Sequence, residues 1–99
     1  MKLPVAFNKE QSSLINIQGS DMNCKEYVQY LIEQELNPNV MRTGFASARH
    51  NNPMFFINLK RMLEKEIKSF NKKHQSWNSF DQIYYSNICT IYKYCEMVQ

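Results

Sequence analysis

Apolar residues at Cys24, Tyr27, Val28, Leu31, Ile32 and Leu36 recur at the i, i+3, i+4, i+7 spacing of one buried helical face, and Lys25, Glu26, Gln29, Glu33 and Gln34 fall opposite them. The pattern predicts a helix over about 24–36. Asn23 is placed to cap it, Glu26 to complete a capping box, and Asn37-Pro38 to stop it.

A second and longer pattern runs from Pro53 to about His74. Asn52 is the cap, and proline occupies the first helical position, where a missing amide proton costs nothing. At ~100° per residue, Phe56, Leu59, Leu63, Ile67 and Phe70 cluster on one stripe, widened by Phe55 and Met62. Arg61, Lys65, Lys68 and Lys72 fall on the opposite side of the same helix. This segment predicts a rod with an apolar inner face and a cationic outer face.

The third pattern begins after Ser79, which is read as its cap with Gln82 three residues on, and continues close to the C-terminus. Phe80, Tyr84, Ile88, Ile91, Cys95 and Val98 form its inner stripe. Ile83, Tyr85, Cys89, Tyr92, Tyr94 and Met97 make it apolar nearly all round, so it is either central or holds a second stripe, Tyr85, Cys89 and Tyr92, for a partner.

Two segments are open. Residues 8–18 read as a helix capped by Asn8 and ended by Gly19, or as a hairpin pairing Val5-Ala6-Phe7 with Ile15-Asn16-Ile17. The helix is preferred because no Asn-Gly or Asp-Gly turn joins the two runs. Residues 40–50, with Gly44, Ala46, Ser47 and Ala48, read as a short helix that lets another backbone approach closely, or as a loop. With only two glycines and three prolines, tight turns are few. The 99 residues fit one domain. The expectation is an all-α fold: a bundle of three main helices, with an N-terminal helix or short hairpin completing the core.

Charge alters this picture more than composition does. Residues 1–41 carry a net −2, residues 42–74 a net +6 and residues 75–99 a net −1, so the overall +3 is concentrated in the middle of the chain. Arg42, Arg49, Lys60, Arg61, Lys65, Lys68 and Lys72 are the candidate contacts to an anionic surface. A solvated helix face that favours its own C-terminal dipole is the plainer reading of the same residues. Trp77, Tyr85 and Tyr92 are the candidate aromatic contacts, with packing over a core edge as the alternative for Trp77.

Catalytic chemistry finds no constellation. Cys24, Cys89, Cys95, His50 and His74 form no C-x-x-C or H-x-x-x-H pair, and some 22 helical residues hold the two histidines about 30 Å apart. Neither a metal nor a cofactor is expected. The N-terminal stretch is too short and too broken by Pro4 for a secretory signal, and no run of about 20 apolar residues spans a membrane. Three cysteines without framework spacing suit a reducing compartment, so the expected location is the cytoplasm.

Together these features point to a non-catalytic interaction protein, an inhibitor or adaptor that binds an acidic macromolecular surface. A nucleic-acid binder using the basic 42–73 region is the alternative, and a small nuclease-like enzyme a distant third. A homodimer is also compatible with the sequence.

Overall fold

Gln18 and Gly19 both take positive φ, 52° and 89°, and this left-handed pair turns β1 (Ile15–Ile17) straight back into β2 (Ser20–Met22). A two-residue turn of that kind matches the twist of an antiparallel pair. The register sets Ile15 opposite Met22, Asn16 opposite Asp21 and Ile17 opposite Ser20. The Asn16 side chain fixes the corner by donating to Asp21 Oδ1 at 2.9 Å and accepting from the Gly19 amide at 3.1 Å. The computed structural model describes residues 14–98. Within them the helical reading of residues 14–18 is overturned: Ile15-Asn16-Ile17 is a strand, and it pairs downstream. The remainder of the candidate helix, and Val5-Ala6-Phe7, lie outside the described residues.

Helix α1 (Cys24–Glu33) opens on the expected capping box, with Asn23 accepting from the Glu26 amide and Glu26 accepting from the Asn23 amide, both at 2.9 Å. It ends three residues earlier than the apolar spacing suggests. Leu36 N–H donates to Leu31 O and Glu35 N–H to Ile32 O, the paired bonds of a Schellman motif, and Glu35 sits at φ 58° where glycine is usual. Asn37 therefore caps the next helix instead of trailing the first one. Its side chain accepts from the Asn39 and Val40 amides, Pro38 stands at the first position, and α2 (Pro38–Asn51) runs for 14 residues through the stretch read as a short helix or loop.

Helix α3 (Pro53–Lys72) is an unbroken 20 residues capped by Asn52. That side chain also donates to Leu14 O at 2.7 Å, which ties the hairpin to the α2–α3 corner. After a 3-10 turn at His74–Ser76, helix α4 (Ser79–Met97) starts on a capping box between Asn78 and Asp81, one residue before the Ser79–Gln82 pair assigned that role. Aspartate in the first turn suits the helix dipole as well as the box.

All four helices of the described residues contribute to one core. Tyr27, Val28 and Leu31 of α1, Met41, Phe45 and Ala48 of α2, Phe55, Phe56, Leu59 and Leu63 of α3, and Ile88, Ile91 and Cys95 of α4 are all buried. Tyr27 is near its centre, edge-on to Phe45 at 6.2 Å and to Phe55 at 5.6 Å. Its hydroxyl lies where a Cβ on Gly44 would stand, so the glycine admits a side chain and not, as its small neighbours suggested, a second backbone.

Burial is uneven along the α3–α4 pair. On the inner stripes it is complete as far as Leu63 and from Ile88 to Cys95, whereas Ile67, Phe70 and Tyr84 towards the other end are only part-buried. Among the described residues, two helices meet at this far end without a third to cover them. Phe80, assigned to the inner stripe of α4 by its periodicity, is accordingly 81% exposed.

Candidate interaction surface

The inner stripe of α3 faces α4 and the core, which turns its back to solvent. Arg61, Lys65, Lys68 and Lys72 are all exposed there, on successive turns of one helix. Met54 and Ile57, 49% and 40% exposed, extend the same face towards the helix N-terminus. Neither was singled out from the sequence. The signal was present, since the wheel that gathers the four cations also gathers these two apolar residues.

What keeps the face cationic is the position of the two acids on α3. Glu64 Oε2 accepts from the Tyr92 hydroxyl at 2.5 Å and Glu66 Oε1 from the Tyr84 hydroxyl at 2.8 Å, so both carboxylates are engaged by α4. The tyrosines respond accordingly. The hydrogen bond to Glu64 raises the Tyr92 pKa above its ordinary value, and burial followed by the bond to Glu66 raises that of Tyr84. Among the described residues the one ion pair is Lys60–Glu96, at 3.8 Å.

That pair separates Lys60 from its expected companions. It is half-buried in the α3–α4 seam, whereas the four cations on the back of α3 make no ion pair among the described residues. Arg42 and Arg49 are exposed on one side of α2, seven residues apart. Arg49 shares a shallow depression at the α2–α3 corner with Ile57 and Lys60, so it adjoins the start of the α3 face; Arg42 is two turns further along α2.

Each of the three candidate aromatics has an internal partner. Trp77 Nε1–H donates to Phe70 O at 2.8 Å, which satisfies a carbonyl at the end of α3, and its ring lies 4.6 Å from both His74 and Tyr85. Tyr85 donates to Asn71 Oδ1 at 3.0 Å, and Tyr92 to Glu64 as above. These residues pin the two long helices together and cap their far end. All three stay part-exposed along the seam beside the cationic back of α3.

Reactive groups are scattered. His50 and His74 are both exposed and stand at opposite ends of α3. The three cysteines are free thiols; burial pushes Cys24 up to about 11 and Cys95 up to about 12, so both are protonated at neutral pH. Among the described residues no three His, Cys, Asp or Glu side chains gather where they could hold a metal, and no helix is long and apolar enough to cross a membrane. Compared with protein-family models, with curated proteins and with solved structures, the chain matches none.

Proposed function

We propose that this chain is a non-catalytic interaction protein, an inhibitor or adaptor that docks on the acidic surface of a partner protein through the back of α3. The observation that carries the reading is the segregation of charge on that helix. Four cations stand exposed on one face while both acids are held by tyrosines of α4. A face serving only solvation more often mixes its signs, because like charges at i, i+4 repel. Met54 and Ile57 favour protein over nucleic acid as the target: an interface to protein uses apolar contact beside its charge, whereas phosphates reward charge alone. The exposed Arg49 borders this face, and the free thiols of Cys24, Cys89 and Cys95 suit a reducing cytoplasm.

The test is a variant with Arg61, Lys65, Lys68 and Lys72 all changed to Glu, checked for unchanged helicity by circular dichroism. The native chain should retain an acidic protein from lysate that the variant fails to retain. A variant that captures the same protein equally well overturns the reading. Titration of labelled duplex DNA and single-stranded RNA at low salt should show no binding; tight binding that falls steeply with added salt would replace this reading with the nucleic-acid one.

A further inference from the structure

We propose that α4 carries a second seam, independent of the α3 face, through which two copies of this chain pair antiparallel about a two-fold axis. Phe80, Ile83, Asn87, Thr90, Tyr94 and Met97 follow one another at steps of three, four, three, four and three residues. That is the spacing by which one helix presents a continuous edge to another, here over about 26 Å of axis. The seam runs along a different side of α4 from Tyr85 and Tyr92, whose hydroxyls reach α3. Among the described residues its ends are exposed, Phe80 by 81%, Ile83 by 61% and Met97 by 61%, and the three residues between are half-buried, Tyr94 resting one side of its ring on the core.

The order of polarity identifies the occupant. Read along the helix, the seam is apolar, apolar, polar, polar, apolar, apolar, and it reads the same from the other end. A second copy laid in the opposite direction sets Phe80 against Met97 and Ile83 against Tyr94 of the other chain, twice over. At the centre it sets Asn87 against Thr90. Thr90 Oγ1 already donates to Ser86 O at 3.0 Å, which leaves its lone pairs to accept from the Asn87 amide of the second copy. A two-fold interface demands this kind of self-complementarity.

Charge supports the same occupant. Asp81 and Glu96 lie on the side of α4 nearer α3, where Glu96 pairs with Lys60, so Lys93 is the one charged residue of α4 flanking the seam. In the antiparallel arrangement the two Lys93 side chains are offset by about 14 Å along the axis, beyond the screening length at physiological salt. The charges of α4 itself therefore set no like-charge cost against pairing here. The cationic back of α3 could not pair with itself in that way, and the seam offers an acidic partner no complement.

Sedimentation of the full chain from about 1 to about 300 µM tests the proposal. The expected mass rises with concentration from 11.8 kDa towards twice that value. Phe80→Lys and Met97→Glu alter exposed side chains that support no core contact, so the fold should survive, as circular dichroism would check. Each should weaken self-association roughly tenfold or more. An equimolar mixture of the two should recover association as a heterodimer, because the antiparallel register brings the new lysine opposite the new glutamate. A native chain that stays monomeric throughout, whether the seam is bare or covered by residues 1–13 of the same molecule, overturns the proposal. So does self-association that neither substitution weakens, or a mixture that shows no recovery.

Discussion

Tyr92 of α4 donates its hydroxyl to Glu64 of α3 at 2.5 Å, and this one bond both fastens the two longest helices and turns the Glu64 carboxylate towards α4, where it forms no ion pair with the four cations. Tyr84 and Glu66 repeat the arrangement on the other side of the α3–α4 contact at 2.8 Å. Structure and proposed function thus share residues. The glutamates that might have neutralised Arg61, Lys65 and Lys68 are occupied in holding the pair of helices together.

Alkaline pH should weaken the fold through these groups. In the unfolded chain a tyrosine ionises near pH ~10. In the folded chain the pKa is raised at Tyr92 by its bond to Glu64, and at Tyr84 and Tyr27 first by burial. A raised pKa means that the folded state retains protons which the unfolded state has lost. The stabilisation is therefore complete below about pH 10 and falls away as pH rises beyond it. Cys24 and Cys95, raised to about 11 and about 12, act in the same direction from slightly lower pH. Urea midpoints measured between pH 8 and 12 should fall progressively, and a Tyr84→Phe, Tyr92→Phe double variant should show a shallower decline. At neutral pH, Tyr92→Phe should cost about 1 kcal/mol.

Glu35→Gly should stabilise the protein. Glu35 occupies the C′ position of the Schellman motif at φ 58°, where its Cβ crowds the backbone, and its side chain is exposed. Glycine removes that strain, partly offset by its larger entropy in the unfolded chain, for a net gain of about 0.5–1 kcal/mol. The urea midpoint should rise with an unchanged slope; a fall would mean that the carboxylate makes a contact more valuable than the strain it tolerates.

Burial along α3 sets a gradient of sensitivity. Leu63 is fully buried and its truncation leaves a cavity, so Leu63→Ala should cost about 3 kcal/mol. Ile67, one turn further on, faces the uncovered end of the α3–α4 pair and is only part-buried, and Ile67→Ala should cost less than half as much. Equal losses would show that the far end is as tightly enclosed as the centre.

That gradient also explains what the sequence could and could not disclose. Periodicity located α1, α3 and α4 because each has a broad apolar stripe; an asparagine marked the start of α1 and α3, whereas Ser79 was read as the cap of α4 in place of Asn78. It revealed which face of a helix is apolar but not how far the neighbouring helix extends. Phe80 therefore looked buried although α1 and α2 leave that end of α4 uncovered. Helix α2 was obscured because its inner face is Met41, Gly44, Phe45 and Ala48, where two small residues dilute the stripe. The hairpin was obscured because Gln18-Gly19 makes a turn usually signalled by Asn-Gly. For the cationic face, sequence placed Arg61, Lys65, Lys68 and Lys72 on the outside of α3. The withdrawal of Lys60 to Glu96 and of Glu64 to Tyr92 depends on long-range pairing that no local pattern encodes.

Gly44 and Tyr27 should show a coupling that reverses sign. Alanine at an interior helical position ordinarily gains about 1 kcal/mol over glycine, and the backbone of Gly44 is already helical, so propensity alone predicts that Gly44→Ala stabilises the fold. The new methyl, however, would overlap the Tyr27 hydroxyl oxygen, while the nearest ring carbon stays at an ordinary 3.7 Å. Tyr27 is wedged against Phe45 and Phe55 and is 1% exposed, so its ring has little room to withdraw. In the native background Gly44→Ala should therefore destabilise by about 1–3 kcal/mol. Tyr27→Phe removes the obstructing oxygen and keeps the ring. In that background Gly44→Ala should become neutral or stabilising by up to about 1 kcal/mol. A double-mutant cycle from urea denaturation measures the difference, and an interaction energy near zero would show that the contact at Gly44 is not what holds this position to glycine.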